Sequence, residues 1–262
     1  MVSAIQAAGV QVSFSNMSVD IPKQEVDRFV RAILDKQADN VTQMLKVNSN
    51  LLNVKNEDGL PPLIMAATVG SIEVCSALLS AGADPRSAGP EGRNGLHVGA
   101  YDGNVEVIEF MLKACRELID SKDNMGMTPL MLAAFSGHSP ACTFLLKANA
   151  HPDILGPKNC NALHFAANAG NPEAARVLCE ANNLLLETKD EDSYTPLLSA
   201  AAQGHAAVCT VLLQARANIA ATTKEGFTPL MVAATGVRWM FVKYCCKRVR
   251  MQLLQAKTVL LH

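Results

Sequence analysis

Aromatic residues make up only 5% of this 262-residue chain, with a single tryptophan and three tyrosines. Large rings therefore cannot fill a core of this size, and small side chains must do the close packing. Charge is scarce in either sense: 23 basic and 24 acidic side chains leave a net charge of −1. That balance excludes a general electrostatic pull toward nucleic acid or an anionic membrane. No apolar run approaches the roughly 18 residues of a membrane-spanning helix. The N-terminal stretch M-V-S-A-I-Q-A-A-G-V-Q-V is apolar in flavour but has no basic n-region, so no secretory signal is read there.

Catalytic signatures are missing as well. The chain has no G-x-x-x-x-G-K-[ST], nucleophile elbow, kinase set or dinucleotide fingerprint. Its cysteines form no C-x-x-C, and its histidines form no H-x-x-x-H; Cys245 and Cys246 are adjacent with no second pair. Paired acids such as Glu57–Asp58 and Glu191–Asp192 read as solvated charge, because general acid–base work needs a dry cleft. No catalytic residue, metal site or cofactor is expected. What the chain has is 49% apolar against 18% charged residues, enough for a packed core.

It also has a period. Gly126 to His138 reads G-M-T-P-L-M-L-A-A-F-S-G-H, and copies begin at Gly59, Gly92, Gly126, Asn159, Ser193 and Gly226, spaced by 33, 34, 33, 34 and 33 residues. A fixed period of this length means a stack of units, each burying its apolar face against its neighbours. Within a unit, Thr128 and Thr195 can cap a helix, and Pro129 and Pro196 sit where no backbone donor is lost. Leu130 and Leu197 point inward, Ala133, Ala134, Ala200 and Ala201 allow close approach, and Gly137 and Gly204 turn the chain into a second helix. That helix carries pairs such as Leu78–Leu79, Leu145–Leu146 and Leu212–Leu213. Beneath this lies a longer period of about 67. Units with N-x-L-H (Asn94 to His97, Asn161 to His164) end in R-E-L-I-D-S-K-D and N-L-L-L-E-T-K-D, whereas the intervening units carry Cys75, Cys142 and Cys209. A duplicated two-unit block explains the alternation. With helices ~8–10 Å apart, those cysteines lie too far from one another for a disulfide. They read as buried thiols in a reducing, intracellular setting. The recurring His97, His138, His164 and His205 read as hydrogen-bonded helix-end residues.

The chain then divides as follows. Residues 1–19 are a lead. Residues 20–236 are the array: a degenerate capping unit at 20–56, units at 57–89, 90–123, 124–156, 157–190 and 191–223, and an incomplete copy at 224–236. Residues 237–262 are a basic tail. In the capping unit, Asp20 is the expected N-cap, with Pro22 in the first turn and Val26, Phe29, Val30 and Ile33 at helical spacing. A second helix is expected near Asn40 to Val47, with Val41 and Leu45 inward. The tail carries Arg238, Lys243, Lys247, Arg248, Arg250 and Lys257 with no acid. Three readings of it stay open. It is a basic amphipathic helix for a membrane surface or acidic partner (Trp239, Phe241, Val242, Tyr244), a last helix covering the array's end, or a departure of the reading frame or splice form from the repeat.

The in-register copies of T-P-L-x-x-A-A-x-x-G-H resemble the ankyrin repeat family, strongly over about 57–235 and weakly over 20–56. The resemblance implies an all-α solenoid of about six helix-turn-helix repeats with short β-turn fingers. It also implies protein–protein recognition on a concave side formed by finger tips and first helices. The candidate binding residues are the positions that the repeat does not need: Asp58, Leu60, Glu91, Arg93, Tyr101, Asp102, Met125, Met127, Phe135, Ser136, Lys158, Asn168, Tyr194, Gln203 and Phe227. The expected protein is a monomeric, intracellular, non-enzymatic scaffold; the alternative is the recognition segment of a larger signalling enzyme or channel, cut short after Ala234.

Overall fold

The structure, a computed structural model, describes residues 21–235. The helices run in pairs along the chain: α1 (Lys23–Leu34) with α2 (Ala38–Val47), α3 (Pro62–Thr68) with α4 (Ile72–Ser80), and α5 (Gly95–Asp102) with α6 (Val105–Ala114). They continue as α7 (Pro129–Ser136) with α8 (Ser139–Lys147), α9 (Ala162–Ala169) with α10 (Pro172–Ala181), and α11 (Pro196–Gln203) with α12 (Ala206–Gln214). The last described helix is α13 (Pro229–Thr235). First helices stack on first helices, and second helices on second helices, making two layers. Between pairs the chain makes β-turn fingers, one of which closes an isolated antiparallel bridge between Ala88 and Asn94.

Each helix start has a local cause. Thr128 Oγ1 accepts from the Met131 N–H at 3.3 Å and Thr195 Oγ1 from Leu198 at 3.4 Å, with proline next in the chain. In the N-x-L-H units the asparagine does this work: Asn94 Oδ1 accepts from Leu96 and His97, and Asn161 Oδ1 from His164. The first helix departs from expectation. It starts at Lys23, with extended Pro22 (ψ 132°) at the cap position and no side-chain cap; Asp20 lies outside the described residues. The Pro22 carbonyl instead takes the Glu25 and Val26 N–H groups, at 2.8 and 3.2 Å.

The first helices bring their alanines to the interior. Ala133, Ala134, Ala166, Ala167, Ala200 and Ala201 are all fully buried beside Leu130, Leu163 and Leu197. Close approach also explains the glycine that follows α3, α5, α7 and α9. Gly103 has φ 72°, which disfavours any side chain, and a Cβ there would lie 2.5 Å from the His138 ring of the following unit. Gly170 meets His205 in the same way, and His205 Nε2 also donates to the Asn168 carbonyl at 3.1 Å. The opening unit holds this left-handed turn with Lys36 (φ 58°) instead.

The longer period is structural. Second helices α4, α8 and α12 end in left-handed Gly82, Asn149 and Arg216. There the N–H of Ala83, Ala150 and Ala217 returns to Leu78, Leu145 and Leu212, a Schellman closure. Helices α2, α6 and α10 end extended at Asn48, Cys115 and Asn182 and run into 3-10 turns at Ser49–Asn53, Arg116–Asp120 and Asn183–Glu187. The two endings are tied across units: Asp120 accepts from the His151 N–H at 3.1 Å and Glu187 from the Asn218 N–H at 2.8 Å. Cys75, Cys142 and Cys209 are fully buried, and burial pushes the Cys75 and Cys142 thiols up to about 12.

Candidate protein-binding face

The fingers are built on side-chain-to-backbone bonds. In the third finger Asp123 Oδ1 accepts from Met125 and Met127 at 2.9 and 2.8 Å. Asn56 serves Leu60, Asp190 serves Tyr194 and Thr223 serves Phe227 at the same offset. These are turns in which the acceptor side chain replaces a strand partner. The fourth finger differs: Lys158 and Asn159 both take positive φ (56° and 57°), a tighter two-residue turn closed by the Cys160 N–H on the Pro157 carbonyl. Fingers are also joined in series, with the Asn124 N–H on the Glu91 carbonyl at 2.9 Å and the Glu191 N–H on the Lys158 carbonyl at 3.1 Å.

Histidines tie fingers to first helices. His97 Nε2 donates to the carbonyls of Ser121 and Met127, at 3.1 and 3.2 Å, and His164 Nε2 donates to the Tyr194 carbonyl at 3.0 Å. Burial depresses both imidazoles below the usual histidine range, and His164 Nδ1 also lies 2.8 Å from Asn161 Oδ1. With Nε2 committed as donor, the buried Nδ1 of His97 is an acceptor with no partner among the described residues.

The expected binding residues separate into three groups. Asp58, Glu91, Tyr101, Asp102, Met125, Phe135, Lys158, Asn168, Gln203 and Phe227 are exposed. Leu60, Arg93, Ser136 and Tyr194 are half-buried. Met127 contradicts the expectation: it is 6% exposed, its side chain joins the core, and its backbone is clamped between Asp123 and His97. Of the apolar candidates, Tyr101, Phe135 and Phe227 stand 43%, 47% and 46% open and Met125 64%, which leaves ring and thioether surface uncovered on the finger and first-helix side.

Some candidates meet. Arg93 Nη1 lies 2.8 Å from Glu91 Oε2, its Nε lies 3.2 Å from the fully buried Asp123 carboxylate, and its guanidinium sits 5.5 Å from the Tyr101 ring centroid. Tyr194 and Phe227 share a recess of about 520 Å³ with Asp192, Glu225 and Val232. Asp58 lies at the other end, in an 840 Å³ groove against α1 that includes Val30 and Leu34. Asp192, read in the sequence as solvated charge, and Glu225, not singled out there, occupy the finger position of Asp58 and Glu91; carrying that position through every copy finds them. Among the described residues no cluster of three or more His, Cys, Asp or Glu could hold a metal ion, and no helix is long and apolar enough to cross a membrane.

Stacked helix pairs that turn one side of fingers and first helices outward define a repeat protein of the interaction class. A family model described as ankyrin repeats (3 copies) matches residues 29–116, 83–155, 111–183 and 163–248. The chain belongs to the ankyrin repeat family. It is 32% identical over 161 residues to ZDHHC13 of Danio rerio, named as a palmitoyltransferase; the match covers 61% of this chain and 25% of that protein. It is 28% identical over 212 residues, 79% of its length, to transient receptor potential cation channel subfamily A member 1 of Homo sapiens, of which it spans 19%. It is 26% identical over 188 residues to a Saccharomyces cerevisiae protein named as 26S proteasome regulatory subunit p28, covering 70% of this chain and 82% of that one. The chain therefore spans a quarter or less of the first two relatives.

Proposed function

We propose that this chain is a non-enzymatic scaffold or adaptor, working inside the cell as a monomer. It binds protein partners on the concave side made by its finger tips and first helices. The observation that carries this reading is the uncovered apolar surface at Tyr101, Met125, Phe135 and Phe227, on positions the repeat does not use. Exposed rings of this kind are the usual anchors of protein interfaces. The test is binding of an identified partner to the full chain by calorimetry. Replacing Tyr101→Ala with Phe135→Ala should leave the circular dichroism unchanged and weaken binding roughly tenfold or more. Unchanged affinity would remove this face from the interface.

A second reading rests on the coverage of the relatives, of which two are far longer than this chain. The array is then the recognition segment of a larger protein with an enzymatic or channel domain. An antibody to the array, used on the source tissue, decides: a product much heavier than 27.9 kDa favours this reading, and a product of that mass alone counts against it.

A further inference from the structure

We infer that the recess between the last two fingers receives one arginine side chain, borne on a basic segment of a partner protein. The inference rests on the recognition-face reading above and names the partner's chemistry. Two successive fingers present the same pair of groups into one opening. Asp192 and Glu225 each precede a left-handed residue, Ser193 (φ 64°) and Gly226 (φ 83°), and Tyr194 and Phe227 each follow it. Val232 supplies an apolar wall. Rings alone would take an apolar side chain, and carboxylates alone would take any cation. Together they favour guanidinium, which stacks its plane on a ring, donates from its edge to carboxylates and is less strongly hydrated than ammonium.

The chain contains a related combination of ring and carboxylates around an arginine of its own, with the ring taken from a first helix. Arg93 stands at the finger position of Tyr194 and Phe227, with Glu91 at the position of Asp192 and Glu225. It packs against the Tyr101 ring and bridges Glu91 and Asp123. In the last two fingers that position holds a ring; the Glu91 position keeps its acid as Asp192 and Glu225, while the Asp123 position of the last finger holds Thr223. Lys224 reaches Asp192 only at 4.0 Å and gives its Nζ to the Glu191 carbonyl, while Glu225 is held by the Thr223 side chain. No arginine of the described residues fills the opening.

The test titrates the ¹⁵N-labelled full chain with N-acetyl-arginine methylamide and with its citrulline analogue, which has the same shape without the charge. Saturable amide shifts at Tyr194 and Phe227 are expected with arginine only. Asp192→Asn with Glu225→Gln, and separately Phe227→Leu, should each weaken binding about fivefold with the fold unchanged. Equal saturable shifts with citrulline, or full affinity in both variants, would overturn the inference. Replacing Arg238, Arg248 and Arg250 with Gln in the full chain tests whether its own tail is the occupant. An unchanged arginine affinity supports a partner, and a tenfold gain overturns that assignment. A partner whose binding falls with Tyr101→Ala/Phe135→Ala while the arginine probe gives no saturable shift leaves the face reading standing and removes the arginine site. A saturable arginine shift with partner binding unmoved by that pair does the reverse.

Discussion

Met127 and Phe135 belong to one copy of the motif, and truncation should affect them oppositely. Met127→Ala opens a cavity in the core and should cost about 2–5 kcal/mol, whereas Phe135→Ala removes exposed ring and should stay within about 0.5 kcal/mol. Urea unfolding followed by circular dichroism separates them, and a silent Met127→Ala would contradict its place in the core. The buried histidines give a pH dependence. His97 and His164 are held below the unfolded value of about 6.5, so the unfolded chain takes up protons there that the folded chain refuses. Stability is then full above about pH 7.5 and falls as pH drops through 6.5. His151 works in the other direction, its Asp120 partner raising it, but it is solvent-exposed and its pair is screened. The urea midpoint at pH 5.5 should lie below that at pH 7.5; an equal or higher midpoint would count against neutral buried imidazoles. The sequence marked positions outside the recurring motif, but not which way each side chain turns, and Met127 among them packs into the core. The position after the left-handed finger residue is half-buried at Leu60, Arg93 and Tyr194, buried at Met127 and Cys160 and exposed at Phe227. The finger backbone is the same in most of these, so the outcome depends on the neighbouring finger, which a one-dimensional pattern does not carry.

Helix ends were the more legible layer. Thr–Pro starts and Gly ends follow from local hydrogen bonding and φ, so residue type alone announces them at α7 and α11. Where another residue type holds the same backbone, the signal vanishes. Lys36 and Ser193 stand at glycine positions with φ 58° and 64°. A left-handed side chain costs roughly 1–2 kcal/mol, and the extra unfolded entropy of glycine returns roughly 0.5–1 kcal/mol of that. Lys36→Gly and Ser193→Gly should therefore each stabilise their unit by about 0.5–1 kcal/mol. Hydrogen exchange of α1 and α11 is the local readout, and slower exchange is expected. Faster exchange would mean that these side chains make contacts worth more than the backbone strain. The start of α1 was misplaced because Pro22 offers its carbonyl, not a side chain, to the first turn.

Across the whole molecule, a fixed repeat length dictates the architecture, and the stack of first and second helices follows it. The partner does not follow, because the outward positions are those the period does not constrain. The two alternating endings make a prediction at this scale. Asp120 and Glu187 in 3-10 turns each hold the N–H after a Schellman ending in the next unit. Deleting residues 90–156, a full 67-residue block, rejoins like to like and should keep a cooperative helical array. Deleting 90–123 alone sets two Schellman endings side by side and should lower the thermal midpoint further, although it removes less chain. The reverse order of midpoints would mean the alternation carries no energetic weight. Its consequence concerns inheritance. An array whose seams come in two kinds changes length safely in even steps, so viable relatives should differ by pairs of units, with odd counts confined to those that have rebuilt a seam.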